Sequence, residues 1–134
     1  MGGTPHALFR FVPESQPIPS NALRVLIVED DVANRDVMQL VLELAGHRVF
    51  TAGTGKEALE RAAQDHPDAV RLDLRLPDQS GQAVSEALRA QGAPVPRIII
   101  TSGSSLAPGE ADRLGADAVL QKPFEPDQML AALR

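Results

Sequence analysis

From Leu23 onward, short apolar runs alternate with longer stretches in which apolar residues recur every three or four positions. Leu23-Arg24-Val25-Leu26-Ile27-Val28 is almost continuously apolar and rich in β-branched residues, the pattern of a strand covered on both faces. Val37, Leu40, Val41 and Leu44 follow at helical spacing, and Gly46 supplies a stop. Residues 48–52 read as a second strand. Thr54 with Glu57 three positions later is the signature of a capping box, opening a helix that carries Ala58, Leu59 and Ala62. A third strand spans residues 69–74 and is ended by Pro77 and Gly81. Val84, Ala87 and Leu88 mark a third helix, closed by Gly92. Residues 97–101 form a fourth strand, and Pro108 suits the first turn of a short fourth helix ending near Gly115. Residues 118–120 are a fifth strand, and Pro126 begins a last helix carrying Met129, Leu130 and Leu133.

Five strands alternating with five helices predict βαβ units, hence an α/β fold whose parallel, doubly wound sheet is covered on both faces. Alternation alone leaves the strand order open. Before Asn21 the pattern fails: Pro5, Pro13, Pro17 and Pro19 interrupt any periodicity, so residues 1–22 are expected to be a tail or linker and 23–134 the domain. Phe9 and Phe11, two of only four Phe, fit either a disordered tail or a segment that docks on the domain or on a neighbour.

A length of 134 residues suits one domain, and 13 Lys+Arg against 18 Asp+Glu give a net charge of -5. An acidic balance argues against a general nucleic-acid or anionic-membrane binder, whose footprint is basic. The absence of Cys excludes a disulfide scaffold, a thiolate metal site and a cysteine nucleophile. No apolar run approaches the roughly 18 residues of a membrane span, and the first residues lack the apolar region of a signal peptide. The expectation is a soluble cytoplasmic domain with neither a membrane nor a nucleic acid as its partner.

Ligands of open parallel sheets sit beyond the carboxyl ends of the strands. Those ends carry Glu29-Asp30-Asp31, Asp73, Thr101-Ser102 and Lys122-Pro123. Carboxylates converging on one sheet edge repel unless a cation joins them, and Mg2+ suits such hard oxygen donors together with phosphate. Each residue alone has a plainer reading: Asp30 or Asp31 as a helix cap, Asp73 as a turn residue, Thr101 as an ordinary strand residue, Lys122 as a solvated lysine. Four strand ends each offering a part of a magnesium–phosphate site outweigh those readings together.

Over residues 23–134 the sequence resembles the receiver (response-regulator) domain of two-component signalling. The resemblance is carried by Val25-Leu26-Ile27-Val28-Glu29-Asp30-Asp31, by residues 67–81 around Asp73 with the trailing Pro77 and Gly81, and by residues 115–124 ending in Lys122-Pro123-Phe124. It implies a flavodoxin-like sheet order 2-1-3-4-5. It further implies that Asp73 accepts phosphate from a sensor histidine kinase or a histidine phosphotransfer protein. Asp30 and Asp73 would bind Mg2+ directly, Glu29 through water, and the Arg75 backbone carbonyl would complete the set. Thr101 and Lys122 would contact the phosphoryl oxygens, with the Lys122–Pro123 peptide cis. Thr101 takes the family's hydroxyl position when counted from Pro96, with Ser102 beside it. A monomer or weak dimer is expected, as either a stand-alone receiver or a part of a longer protein.

Two positions depart from the family pattern. Val119 stands where many members carry an aromatic residue that rotates inward, which puts the hydroxyl–aromatic form of the switch in doubt. Arg71 lies in mid-strand where the family has an apolar side chain, and must snorkel to water, pair with an acidic neighbour, or destabilise the strand. Competing functions fit less well. A flavin binder would lack Trp or Tyr for stacking, and an aspartate-nucleophile hydrolase needs a second carboxylate where Arg75 stands. Gly53-Thr54-Gly55-Lys56 fails as a phosphate loop because Phe50 and Glu57 occupy required positions. A receiver-like scaffold that works without phosphorylation remains the alternative.

Overall fold

Five parallel strands pair in the order β2-β1-β3-β4-β5, the order that the resemblance implies. In this computed structural model, which describes residues 22–134, the elements are β1 (Arg24–Val28), α1 (Val32–Leu44), β2 (Arg48–Ala52), α2 (Gly55–Asp65), β3 (Ala69–Asp73), α3 (Gly81–Ala90), β4 (Arg97–Ser102), α4 (Glu110–Leu114), β5 (Ala118–Gln121) and α5 (Pro126–Ala132). The reading of Phe9 and Phe11 falls outside the described residues. From β1 the chain moves one way to β2 and the other way to β3, β4 and β5, so the switch point lies between the ends of β1 and β3.

The central strands β1, β3 and β4 are buried on both faces, which is why they read as unbroken apolar runs. On one face Leu26, Val28, Val70, Leu72, Ile98 and Ile100 pack with Ala58 and Ala62 of α2 and Val84 and Leu88 of α3. On the other, Val25, Ile27, Ala69 and Ile99 pack with Leu42 of α1 and Met129 and Leu133 of α5.

Three local expectations need correction. α1 does not turn Val37, Leu40 and Leu44 inward; they are 62%, 56% and 71% exposed, and Leu42 is buried with Met38 packed beside it. The two stripes differ by a rotation of about one residue, some 100°, and periodicity alone does not choose between two apolar stripes on one helix. Pro108 precedes α4 instead of opening it, because Gly109 is the N-cap residue. At α2, Thr54 caps the Glu57 N–H at 3.1 Å as expected, but the Glu57 carboxylate accepts from Gly53 N–H at 2.7 Å, one residue before the position a capping box uses.

Gly81 sets the distance between α3 and the end of β3. Its N–H donates to Leu74 O at 2.7 Å, and an added Cβ would overlap the Asp73 carbonyl oxygen and lie 2.8 Å from Leu72 Cδ1. That contact is with backbone, so the strand end would have to shift. Gly81→Ala is therefore expected to lose about 1–3 kcal/mol of stability in urea unfolding. Gly103→Ala, whose added methyl meets nothing within 4 Å, should stay within about 0.5 kcal/mol of the parent. Equal stability of the two variants would contradict this reading.

Candidate functional site

The carboxyl ends of β1, β3, β4 and β5 surround a cleft of about 460 Å3 lined by Glu29, Asp30, Asp73, Arg75, Thr101 and Lys122, among others. The six residues to which the resemblance assigns a role thus converge. Strand register explains how: Asp73 pairs with Thr101 across β3 and β4, and Lys122 N–H, just past β5, donates to Ser102 O at 2.7 Å. The Lys122–Pro123 peptide is cis.

One oxygen of Asp73 is heavily engaged. Its Oδ1 accepts from Thr101 Oγ1 at 2.7 Å, lies 2.7 Å from Lys122 Nζ and 3.5 Å from Arg71 Nη2. Oδ2 makes no hydrogen bond among the described residues. Ser102 Oγ instead donates to Ser104 O at 2.8 Å, so the hydroxyl next to Asp73 is that of Thr101.

Asp31 proves to be the helix cap, accepting from Ala33 N–H at 2.9 Å and Asn34 N–H at 3.2 Å. That leaves Asp30 exposed at the cleft, and Glu29, Asp30 and Asp73 each offer a carboxylate oxygen within 4.8 Å of the others. Three hard oxygen donors at this spacing fit a divalent cation. Arg75 is exposed at the cleft's edge, and its backbone bridges to Ser80.

Arg71 pairs with an acidic neighbour, the second of the three possibilities its position allowed. Its stem lies in register between Ile27 and Ile99, and it is 2% exposed. Residues two apart on a strand share a face, so the side chain runs toward Asp73. Nη1 reaches Glu29 Oε1 at 2.9 Å, while Nε, also buried, finds no partner.

Burial raises the carboxyl of Glu29 above the ordinary range against the pull of Arg71, with neighbouring Asp73 adding to the rise. For Asp73, burial also favours the neutral form, but the Lys122 hydrogen bond, the Arg71 charge and the Thr101 hydroxyl outweigh it and hold the carboxyl low. Of the two carboxyls, that of Asp73 is thus the more acidic.

Two supporting residues were not singled out in the sequence. Arg35 Nη1 donates to Glu29 O at 2.9 Å, holding the end of β1 to α1. Asp78, in the loop that follows Asp73, accepts from Gly55 and Lys56 N–H at 2.8 and 3.0 Å, tying that loop to the start of α2. The only sequence signal for Asp78 is its place in the Pro77-Asp78 turn; its partners are 22 and 23 residues away.

A profile described as "Response regulator receiver domain" matches residues 25–134. The response regulator MprA of Mycolicibacterium vanbaalenii is 38% identical over 113 residues, covering 84% of this chain and 49% of that protein; MprA of Mycobacterium leprae is 38% identical over 113 residues, covering 84% and 50%. The chain thus spans about half the length of these relatives. Among solved structures, the chemotaxis response regulator CheY4 of Vibrio cholerae superposes with a TM-score of 0.74 at 30% identity, covering 84% of this chain and 96% of that one. The BeF3-activated N-terminal receiver domain of Klebsiella pneumoniae RstA gives 0.74 at 26%, covering 83% and 95%.

Backbone N–H donors from Gly55 and Lys56 hold the Asp78 carboxyl below its ordinary value. A carboxyl lowered on folding adds stability above its unfolded value and loses it as pH falls through the folded one. Asp78→Asn should therefore lower the melting temperature at pH 7, and the gap should close in acid below the usual carboxylate range. A gap that is constant with pH would show that the charge of Asp78 plays no part.

Proposed function

The chain belongs to the response regulator receiver domain family of two-component signalling, and from that premise we propose that it accepts a phosphoryl group on Asp73 in a Mg2+-dependent reaction with a partner phosphohistidine. The observation that supports this best is that Lys122 Nζ and Thr101 Oγ1 both engage the same oxygen of Asp73, each at 2.7 Å. That leaves Oδ2 as the attacking atom. A bond forms between Oδ2 and phosphorus as the bond from phosphorus to the imidazole nitrogen breaks, and the imidazole leaves with its electron pair. Later attack by water on phosphorus releases phosphate and restores the carboxylate.

Bound Mg2+ would offset charge on the transferring oxygens, held by Asp30, Asp73, the Arg75 carbonyl and, through water, Glu29. Lys122 and Thr101 then act as donors to the phosphoryl oxygens, so catalysis is positioning plus electrostatic stabilisation. Once Asp73 is an acyl phosphate, those two donors gain a new acceptor. Such a differential contact is what shifts a two-state equilibrium. Val119 is half-buried against the α2–α3 face and has no ring to rotate, which fits a phosphate carrier or a domain whose output uses another surface than a hydroxyl–aromatic switch.

The partners are a sensor histidine kinase or a histidine phosphotransfer protein. Residues 1–22 serve as tail or linker to a cytoplasmic receiver, residues 23–134, that is a monomer or weak dimer. Its acidic charge balance argues against nucleic acid or an anionic membrane as a partner. Among the described residues no helix is long and apolar enough to cross a membrane. One observation favours a scaffold independent of phosphorylation, namely the buried guanidinium of Arg71 within the acidic pocket.

Incubation with Mg2+ and acetyl phosphate, followed by intact-mass measurement, separates the two readings. The parent should gain the mass of one phosphoryl group, Asp73→Ala should gain none, and Lys122→Met should react about 100-fold more slowly. A parent that never gains mass supports the scaffold, and an adduct on Asp73→Ala contradicts Asp73 as the acceptor.

A further inference from the structure

Among the described residues, Arg71 is the one buried charged side chain at the site that phosphoacceptance does not require. Unlike Lys122, whose side chain is 35% exposed, Arg71 is 2% exposed and has no path to solvent. Leaving Glu29 would strand a buried charge. The orphaned Nε shows that the strand position imposes the guanidinium here without satisfying it fully.

Three carboxylates, Glu29, Asp30 and Asp73, face two cations, Arg71 and Lys122. The pocket therefore offers a divalent ion one net negative charge, where two would remain without Arg71. Glu29 Oε1 is already held at 2.9 Å by the guanidinium, and Asp73 Oδ1 lies 3.5 Å from its other amino group. A divalent ion must share both carboxylates with a fixed positive charge at short range, where the local dielectric strengthens repulsion.

We propose that Arg71 is a built-in counter-cation that sets the Mg2+ affinity of this receiver low, by neutralising Glu29 and repelling the ion from within the strand. This deepens the reading of Asp73 as a Mg2+-dependent phosphoacceptor and rests on it. It follows that loading reaches half-saturation at a higher free Mg2+ concentration than in a receiver with an apolar residue at this position.

The test is direct binding of MgCl2 to the unphosphorylated protein, followed by amide chemical shifts, since the chain has no Trp to report by fluorescence. Arg71→Met keeps an unbranched apolar stem and removes the charge. It should bind Mg2+ at least about tenfold more tightly than the parent. Arg71→Gln, which removes the charge but can still donate to Glu29, should tighten binding as well and serves if the Met variant does not fold. Equal or weaker binding by a folded variant, or no Mg2+ binding by either protein, overturns the proposal. Acetyl phosphate labelling of the parent is scored in parallel. Labelling without tighter Mg2+ binding in the variant defeats only the role of Arg71. Absence of labelling defeats the phosphoacceptor reading, while the affinities still decide whether Arg71 opposes the ion.

Discussion

Four charged groups meet at the switch point of the sheet, three of them buried: Glu29, Arg71, Asp73 and, part-exposed, Lys122. A buried charge without a partner is severely disfavoured, so Glu29, Arg71 and Asp73 are not tolerable alone, while part-exposed Lys122 supplies its charge from the rim. Arg71 holds Glu29, Lys122 and Thr101 hold Asp73, and the backbone keeps them within reach. Most of the unusual features of the end of the sheet follow from that mutual dependence, including the orphaned Nε of Arg71 and the divergent acidities of the two carboxyls.

The scaffold that brings these groups together is apolar and stiff. β1, β3 and β4 are covered on both faces, so the ends of three buried strands present their polar residues at one edge. Gly81 lets α3 start against the Asp73 carbonyl, and Asp78 pins the intervening loop to α2. Thus the position of the Asp73 carboxylate is set by packing on one side and by long-range hydrogen bonds on the other. Exposed Asp30 lies outside this locked set, at the cleft rim where an ion from solvent would first meet the site.

The strands were legible because burial on both faces leaves an unmistakable run such as Val25 to Val28. The convergence of Glu29, Asp73, Thr101 and Lys122 was legible for the same reason, since strand ends in a parallel sheet share one edge. The buried face of α1 was not: the helix carries two apolar stripes, and only packing against the sheet selects Met38 and Leu42 over Val37, Leu40 and Leu44. Nor was Asp78, whose partners lie 22 and 23 residues away. Arg71 was conspicuous in the sequence, yet its choice of Glu29 as partner depends on a side-chain path that only the folded strand defines.

On the proposed function, this arrangement makes the free oxygen of Asp73 the site of acyl phosphate formation. It is tested most directly by treating the loaded protein with borohydride, which reduces an acyl phosphate to an alcohol, and mapping the reduced residue by peptide mass. Reduction confined to position 73 is the predicted result. Reduction at Glu29 or Asp30, or none after loading, would contradict it.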